Sequence, residues 1–294
     1  EKIQSSSPSQ PAATDNTNSC RDANTVTKDL IKSCFGGAVV NQIICNEGVD
    51  YISERVEAFT SLTVEIKGKS SIEDSLKLFV KGELLEGDNA YFCDQIDPPR
   101  KVSAVKRVCI RSPPDHLLLH LKRFEFDFTT MRKYKVDDYC SFGTTLNLFP
   151  FTEAGLAQQE GTAEKGTAAA PAATGGYGES DCNYELTGVI VHVGNADAGH
   201  YYSLIRDQGR KDDTDTDWFM FNDDSVEPFD VDQIAHMCFG GTADDSSRMK
   251  CHSAYMLVYR LIDGAAVSSS SLSSPTPPSS SSPSSAAAVA AAAG

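Results

Sequence analysis

Apolar positions in this chain fall in short runs bounded by glycine, proline and polar turns. That is the pattern of strands rather than of long helices. Ala38–Cys45 is apolar and β-branched and predicts a strand. Phe59–Ile66 carries Phe59, Leu62, Val64 and Ile66 with Thr63 and Glu65 between them, which predicts a half-buried strand. Leu84–Asn89 is turn-rich and leads into a short run, Tyr91–Cys93. Lys101–Ile110 and His116–Phe124 are strand-like and are separated by Pro113 and Pro114. The second, HLLLHLKRF, is apolar through its middle and predicts a central strand covered on both faces. Lys133–Phe142 and Leu146–Phe151 are shorter candidates. Tyr184–Val193, His200–Arg206, Asp217–Phe221 and Ala254–Leu261 make the C-terminal half strand-rich, and Gly194–Gly199 is short enough to close a hairpin.

Three segments have helical character. Thr25–Phe35 ends at a Gly36–Gly37 stop. Ser70–Phe79 starts with Ser71 and Asp74 spaced as in a capping box, and places Ile72, Leu76 and Phe79 at helical spacing. Asp230–Cys238 is the third. Strands with a few helices make this an α+β chain.

Composition divides the chain. Residues 1–24 are Ser/Pro/Asn/Thr-rich, 154–183 are dominated by Ala, Gly, Thr and Gln, and 264–294 are Ser, Pro and Ala. These have too few large apolar groups to offset the entropy of ordering, so they are expected to be a disordered start, a flexible insert and a disordered tail. The folded part is expected at 25–263. The chain begins at Glu1, not Met, and is expected to be a piece of something longer.

A net charge of −15 disfavours nucleic-acid binding, which needs phosphate-neutralising cations, and suits a basic partner. No apolar run is long enough to span a membrane. Nine scattered cysteines without a Cys-x-x-Cys pair do not make a disulfide scaffold; a reducing compartment, cytoplasm or nucleus, is expected.

The chemistry lies in Gly199-His200-Tyr201-Tyr202 and Trp218–Val226. His200 opens one strand and Asn222 closes another. Antiparallel pairing of those strands would bring the two side chains to one end of the sheet. The Asn222 oxygen would then accept from the imidazole and leave the other ring nitrogen free as a base. This is the His–Asn half of a Cys–His–Asn site. Either fragment alone is unspecific; a histidine after glycine in a hairpin is usually a loop residue.

The ordered set resembles the ubiquitin-specific proteases, the papain-like deubiquitinases. SLTVEI, SIEDSLKLFVKGELLEGDNAYFC, KVSAVKRVCI and HLLLHLKRFEFD are similar to that family's finger and palm strands, most of all in the large fat-facets-type members. GVIVHVGNADAGHYYSLIR, WFMFNDDSV and AYMLVYR are similar to its histidine box. The resemblance spans about Phe35 to Arg260. It implies a papain-like peptidase fold of the ubiquitin-specific type, strand-rich in palm and fingers. It implies His200 as general base, Asn222 as its orienting partner and Asp223 as a helper or substitute. Gly199 and Tyr201 would flank the channel for the ubiquitin tail.

Two departures qualify it. The family's cysteine box, and with it the thumb, is missing: Cys20 in DNTNSCRDAN lacks the glycines and the following helix. No nucleophile is therefore expected in this chain. The finger zinc knuckles are degraded, with Cys45 and Cys93 at their first positions and Gly48 and Ile96 where the second cysteines would stand. Two thiolates do not make a tetrahedral site, so no zinc and no other cofactor is expected.

Other features are ordinary. His116 and His120 are four apart but on a strand, and His192 sits in an apolar strand; all three are expected to be structural. The acidic stretch Asp212–Glu227 is either a solvated loop, above all over Asp212–Asp217, or an acidic surface for ubiquitin's arginine-bearing tail, to which Glu83, Glu86 and Asp88 would add. The expected function is the C-terminal part of a cysteine-type deubiquitinase that hydrolyses the bond after ubiquitin's last glycine. Its partners would be ubiquitin and ubiquitinated proteins. The alternatives are a non-catalytic ubiquitin-binding module and, more weakly, another papain-like peptidase.

Overall fold

The structure is a computed structural model that describes residues 30–46, 51–161, 177–207, 217–241 and 251–262. The expected disordered start and tail lie outside them, as do Cys20, Gly48 and residues 212–216. Residues 30–35 are helical. β1 (Gly37–Cys45) and β2 (Ile52–Phe59) then pair antiparallel, from Gly37 opposite Phe59 to Ile44 opposite Ile52. β2 carries no alternation because it is an exposed edge strand, and Phe59 belongs to its end. The strand expected at Phe59–Ile66 is the shorter β3 (Leu62–Glu65).

Helix α1 (Ile72–Phe79) follows. Ser71 caps it by accepting from the Asp74 N–H at 3.2 Å, while the Asp74 carboxylate accepts from the Ser70 hydroxyl at 2.6 Å. Ile72 and Leu76 are fully buried in one core with Val64, Ile66, Leu119 and Leu121. Each such side chain contributes about 2 kcal/mol in water-to-interior transfer.

Next come β4 (Glu83–Leu85), β5 (Tyr91–Cys93), β6 (Arg100–Val102), β7 (Ala104–Ser112) and β8 (His116–Lys122). The single strand expected at Lys101–Ile110 is two strands in different sheets, parted at Ser103. β8 is central as expected, but only one face is sealed: Leu117, Leu119 and Leu121 are fully buried and His116, Leu118 and His120 half-buried.

β9 (Phe124–Asp127) and β10 (Arg132–Lys135) form a hairpin, so the run expected to Phe142 ends at Lys135. β11 (Thr145–Asn147) precedes a 3₁₀ turn at Phe149–Phe151. Helix α2 (Glu153–Gln159) then enters the segment expected to be a flexible insert. Its order has a physical cause: Thr152 caps it, and Glu153 and Glu160 engage Arg111 and Arg107 of β7. A 3₁₀ turn at Glu179–Cys182 closes the same segment, and residues 162–176 between lie outside the described residues.

The C-terminal half holds β12 (Asn183–Gly194), β13 (Gly199–Arg206), β14 (Trp218–Asn222), β15 (Ser225–Pro228), α3 (Ile234–Cys238) and β16 (His252–Leu261). The exposed β15 had no apolar signal. The larger sheet runs β15-β14-β13-β12-β16-β8-β3, with β11 also on β12, and is antiparallel except where β3 joins β8. The smaller one runs β2-β1-β7-β4. Buried tyrosines tie the larger sheet to loops: Tyr184 donates to the Pro114 carbonyl at 2.6 Å and Tyr259 to Gly143 at 2.8 Å. Among the described residues no helix is long and apolar enough to cross a membrane.

Candidate active site

β12 and β13 pair so that Gly194 faces Gly199, Val193 faces His200 and His192 faces Tyr201. β13 and β14 pair antiparallel with Ser203 opposite Phe221. The strand that His200 opens and the one that Asn222 closes therefore end together. His200 Nε2 lies 2.6 Å from Asn222 Oδ1. The amide oxygen is an acceptor, so the ring proton sits on Nε2 and Nδ1 keeps its lone pair. The Asp223 carboxylate stands farther off, at 3.9 Å from Nε2, and is mostly exposed. Asp223 has a φ of 53°, and with Asp224 it makes the two-residue turn from β14 to β15.

The turn before His200 is held by its own backbone and by Asn195. Gly194 has a φ of 111°, and an added Cβ would meet the Ala198 oxygen at 2.5 Å. Asn195 Oδ1 accepts from the Asp197 and Ala198 N–H groups, both at 2.9 Å. The side chain stacked on this turn is His192. Its ring lies 4.8 Å from that of Tyr201 and 5.0 Å from that of Phe124. Gly199 and half-exposed Tyr201 line a groove of about 460 Å³ together with Phe124, Phe126 and His192.

The groove walls from β9 and the face of His192 escaped sequence reasoning, although both sit inside quoted segments. The signal was a histidine eight residues before His200 on a hairpin whose register faces it to Tyr201. His192 is buried, and burial lowers its proton affinity. His120 is likewise shifted down by burial and meets Thr63 Oγ1 at 3.2 Å. His116 stacks near Phe35. Among the described residues no group of three or more His, Cys, Asp or Glu could hold a metal.

The groove's acids are Glu125 and Asp197. Glu125 is also bound by Lys67 and Tyr134. Glu83, Glu86 and Asp88 lie on β4 and the turn after it, in the other sheet's part of the chain. Of the acidic loop, Asp217 pairs with Arg206 at 3.9 Å.

Among the described residues the His200 ring hydrogen-bonds only to Asn222, so none of their cysteines bonds it. Burial pushes the thiols of Cys109 and Cys238 up to about 12 and those of Cys140 and Cys182 to about 11. A nucleophile needs the opposite shift. Cys45 and Cys93 are in side-chain contact within a small core of Val102, Ala104 and the partly buried Ile43, Tyr51, Tyr91 and Ile96. Two sulfurs in an apolar nest do not fit a four-ligand zinc.

The chain matches the family "Ubiquitin carboxyl-terminal hydrolase" over residues 3–259. It is 38% identical over 253 residues to mouse ubiquitin carboxyl-terminal hydrolase 24, covering 80% of this chain and 10% of that protein. It is 36% identical over 256 residues to the Drosophila melanogaster probable ubiquitin carboxyl-terminal hydrolase FAF, covering 81% and 9%. The chain thus spans about a tenth of the length of the curated relatives it matches. The SAGA Ubp8/Sgf11/Sus1/Sgf73 DUB module bound to ubiquitin aldehyde shares the fold, with a TM-score of 0.58 at 24% identity over 80% of this chain and 43% of that one.

Proposed function

Because the chain belongs to the ubiquitin carboxyl-terminal hydrolase family, we propose that it is the fingers-and-palm part of a cysteine-type deubiquitinase. The reaction is hydrolysis of the peptide or isopeptide bond after ubiquitin's C-terminal glycine. The observation that carries this is the 2.6 Å contact of His200 Nε2 with Asn222 Oδ1 beside the groove. Asn222 orients the ring, and Nδ1 is left to take the thiol proton of a cysteine outside this chain. The thiolate adds to the glycine carbonyl. The tetrahedral adduct collapses to a thioester as His200 protonates the departing amine. A water deprotonated by His200 then releases ubiquitin and restores the thiol.

Gly199 and Tyr201 flank the tail of ubiquitin in this scheme, and Asp223 is a carboxylate near the imidazole that supports Asn222. The fingers are proposed to work without zinc. The eight described cysteines are free thiols, which suits the cytoplasm or nucleus.

The test is turnover of a fluorogenic ubiquitin C-terminal amide by the full-length protein. His200→Ala is expected to abolish it, and full activity in that variant overturns the proposal. One observation favours a second scheme, a ubiquitin-binding module without catalysis: none of the described cysteines bonds His200. Covalent capture of the full-length protein by an electrophilic ubiquitin probe at one cysteine excludes that scheme.

A further inference from the structure

Lys135, the last residue of β10, is a cation with almost no access to solvent: its side chain is 2% exposed. A buried ammonium is costly unless its donors are satisfied. Here they meet main-chain oxygens. Nζ lies 2.6 Å from the Cys251 carbonyl, 3.2 Å from that of Gly194 and 3.4 Å from that of His192. Asp137 Oδ1 supplies the counter-charge at 3.2 Å.

The identity of those carbonyls matters. Val193 is the residue that faces His200 across the hairpin. His192 and Gly194 are its two neighbours, so Lys135 holds the carbonyl before Val193 and the carbonyl after it. Cys251 stands just before β16, where His252 pairs with Val193 from the other side. One ammonium thus ties the end of β12, the strand that carries the partner of His200, to the residue that leads into β16, at the sheet end where His200 must meet Asn222. The Gly194 N–H donates to the same Cys251 carbonyl at 3.2 Å, and Lys135 adds a charged donor to that junction, while Asn195 fixes the turn beyond.

We propose that Lys135 is a positioning residue for the general base: it sets the β12–β13 hairpin, and through it the placement of His200. This rests on the proposed role of His200. The contribution is expected in turnover rather than in ubiquitin affinity, because a displacement near 1 Å of a reacting group costs about a hundredfold in rate. The full-length protein is compared with its Lys135→Met and Lys135→Gln variants. Met keeps the apolar stem to one atom short of Nζ and removes every donor; Gln, also one atom short, keeps an amide donor that cannot reach all three oxygens.

With the fluorogenic ubiquitin amide, Lys135→Met is expected to lower kcat about tenfold to a hundredfold, with KM and the Kd for free ubiquitin changed less than about threefold. Lys135→Gln is expected to fall between it and the parent. Retained ubiquitin binding shows that each variant is folded. If Lys135→Met fails that check, Lys135→Gln decides alone. Parental kcat in a folded variant overturns the proposal, as does a loss confined to KM. Should His200→Ala be inactive while the Lys135 variants turn over normally, the positioning role fails and the proposed function stands. Full turnover in His200→Ala overturns both.

Discussion

The imidazole of His192 lies over the α-carbon of Gly199: a Cβ built there would come within 2.1 Å of Nε2 and 2.6 Å of the Val193 oxygen. The glycine before His200 is therefore required by packing from the opposite strand, not by an unusual backbone angle. His192 cannot retreat, since it is buried and held between Phe124 and Tyr201.

Gly199→Ala follows directly. The methyl group must push the His192 ring or the hairpin backbone aside, and either motion tilts the strand that carries His200. Overpacking of this kind costs about 1–3 kcal/mol in stability. In the full-length protein, turnover of the ubiquitin amide is expected to drop at least about tenfold, with a measurable fall in Tm. A Gly199→Ala protein with parental kcat and Tm would show that the ring yields freely.

Asn222→Ala removes the acceptor on Nε2 and leaves Asp223 as the nearest polar neighbour, at 3.9 Å. Side-chain reach lets that carboxylate close part of the gap. The expected result is a reduction in kcat of roughly tenfold to a hundredfold rather than complete loss. Adding Asp223→Ala should reduce it further, and steady-state kinetics on both variants measures the difference. Equal rates for the single and double variants would remove Asp223 from any supporting role.

The pairing of His200 with Asn222 was readable because both sit at strand ends and the strands are strongly patterned. β12 and β16 are long apolar runs packed on a sealed core and β13 lies beside β12, so the extent of these strands was visible although their burial does not alternate cleanly. β2 and β15 were not, because exposed edge strands carry no apolar signal. The order at the start of the segment 154–183 was hidden for a different reason. It comes from ion pairs with Arg107 and Arg111, some 50 residues upstream, which composition does not register. Likewise the groove is walled by Phe124 and Phe126 of β9 against the β12–β13 hairpin, a contact between distant segments.

Cys45 and Cys93 touch inside an apolar nest, a donor set that does not fit a four-ligand metal. Burial and the neighbouring thiol both push the Cys45 thiol up, so it stays protonated near neutral pH. Prolonged treatment of the full-length protein with a strong zinc chelator is expected to leave Tm and activity unchanged. Cys45→Ala should cost about 1–2 kcal/mol through lost packing alone. Release of one zinc per chain, detected with a colorimetric chelator and abolished by Cys45→Ala, would refute a metal-free fingertip.

Stability should also fall on mild acidification, and histidines set the window. His120, His192 and His252 all have proton affinities lowered by burial, with Lys135 adding to the effect at the last two. In the unfolded chain each titrates near about pH 6.5. Between that value and the lower folded one, the unfolded state holds more protons than the native state. Unfolding free energy therefore rises with pH through this window and is lost as pH falls below about 6.5. Carboxylates that are bound in the native state, such as Glu125 and Asp74, are held below the usual carboxylate range and stay ionised between pH 7.5 and pH 5.5. Tm is expected to decline from pH 7.5 to pH 5.5. His120→Gln keeps a polar partner for Thr63 and removes one titrating group, so it should flatten the decline. An unchanged slope in that variant, measured by calorimetry at matched ionic strength, would show that His120 takes up its proton equally well in both states.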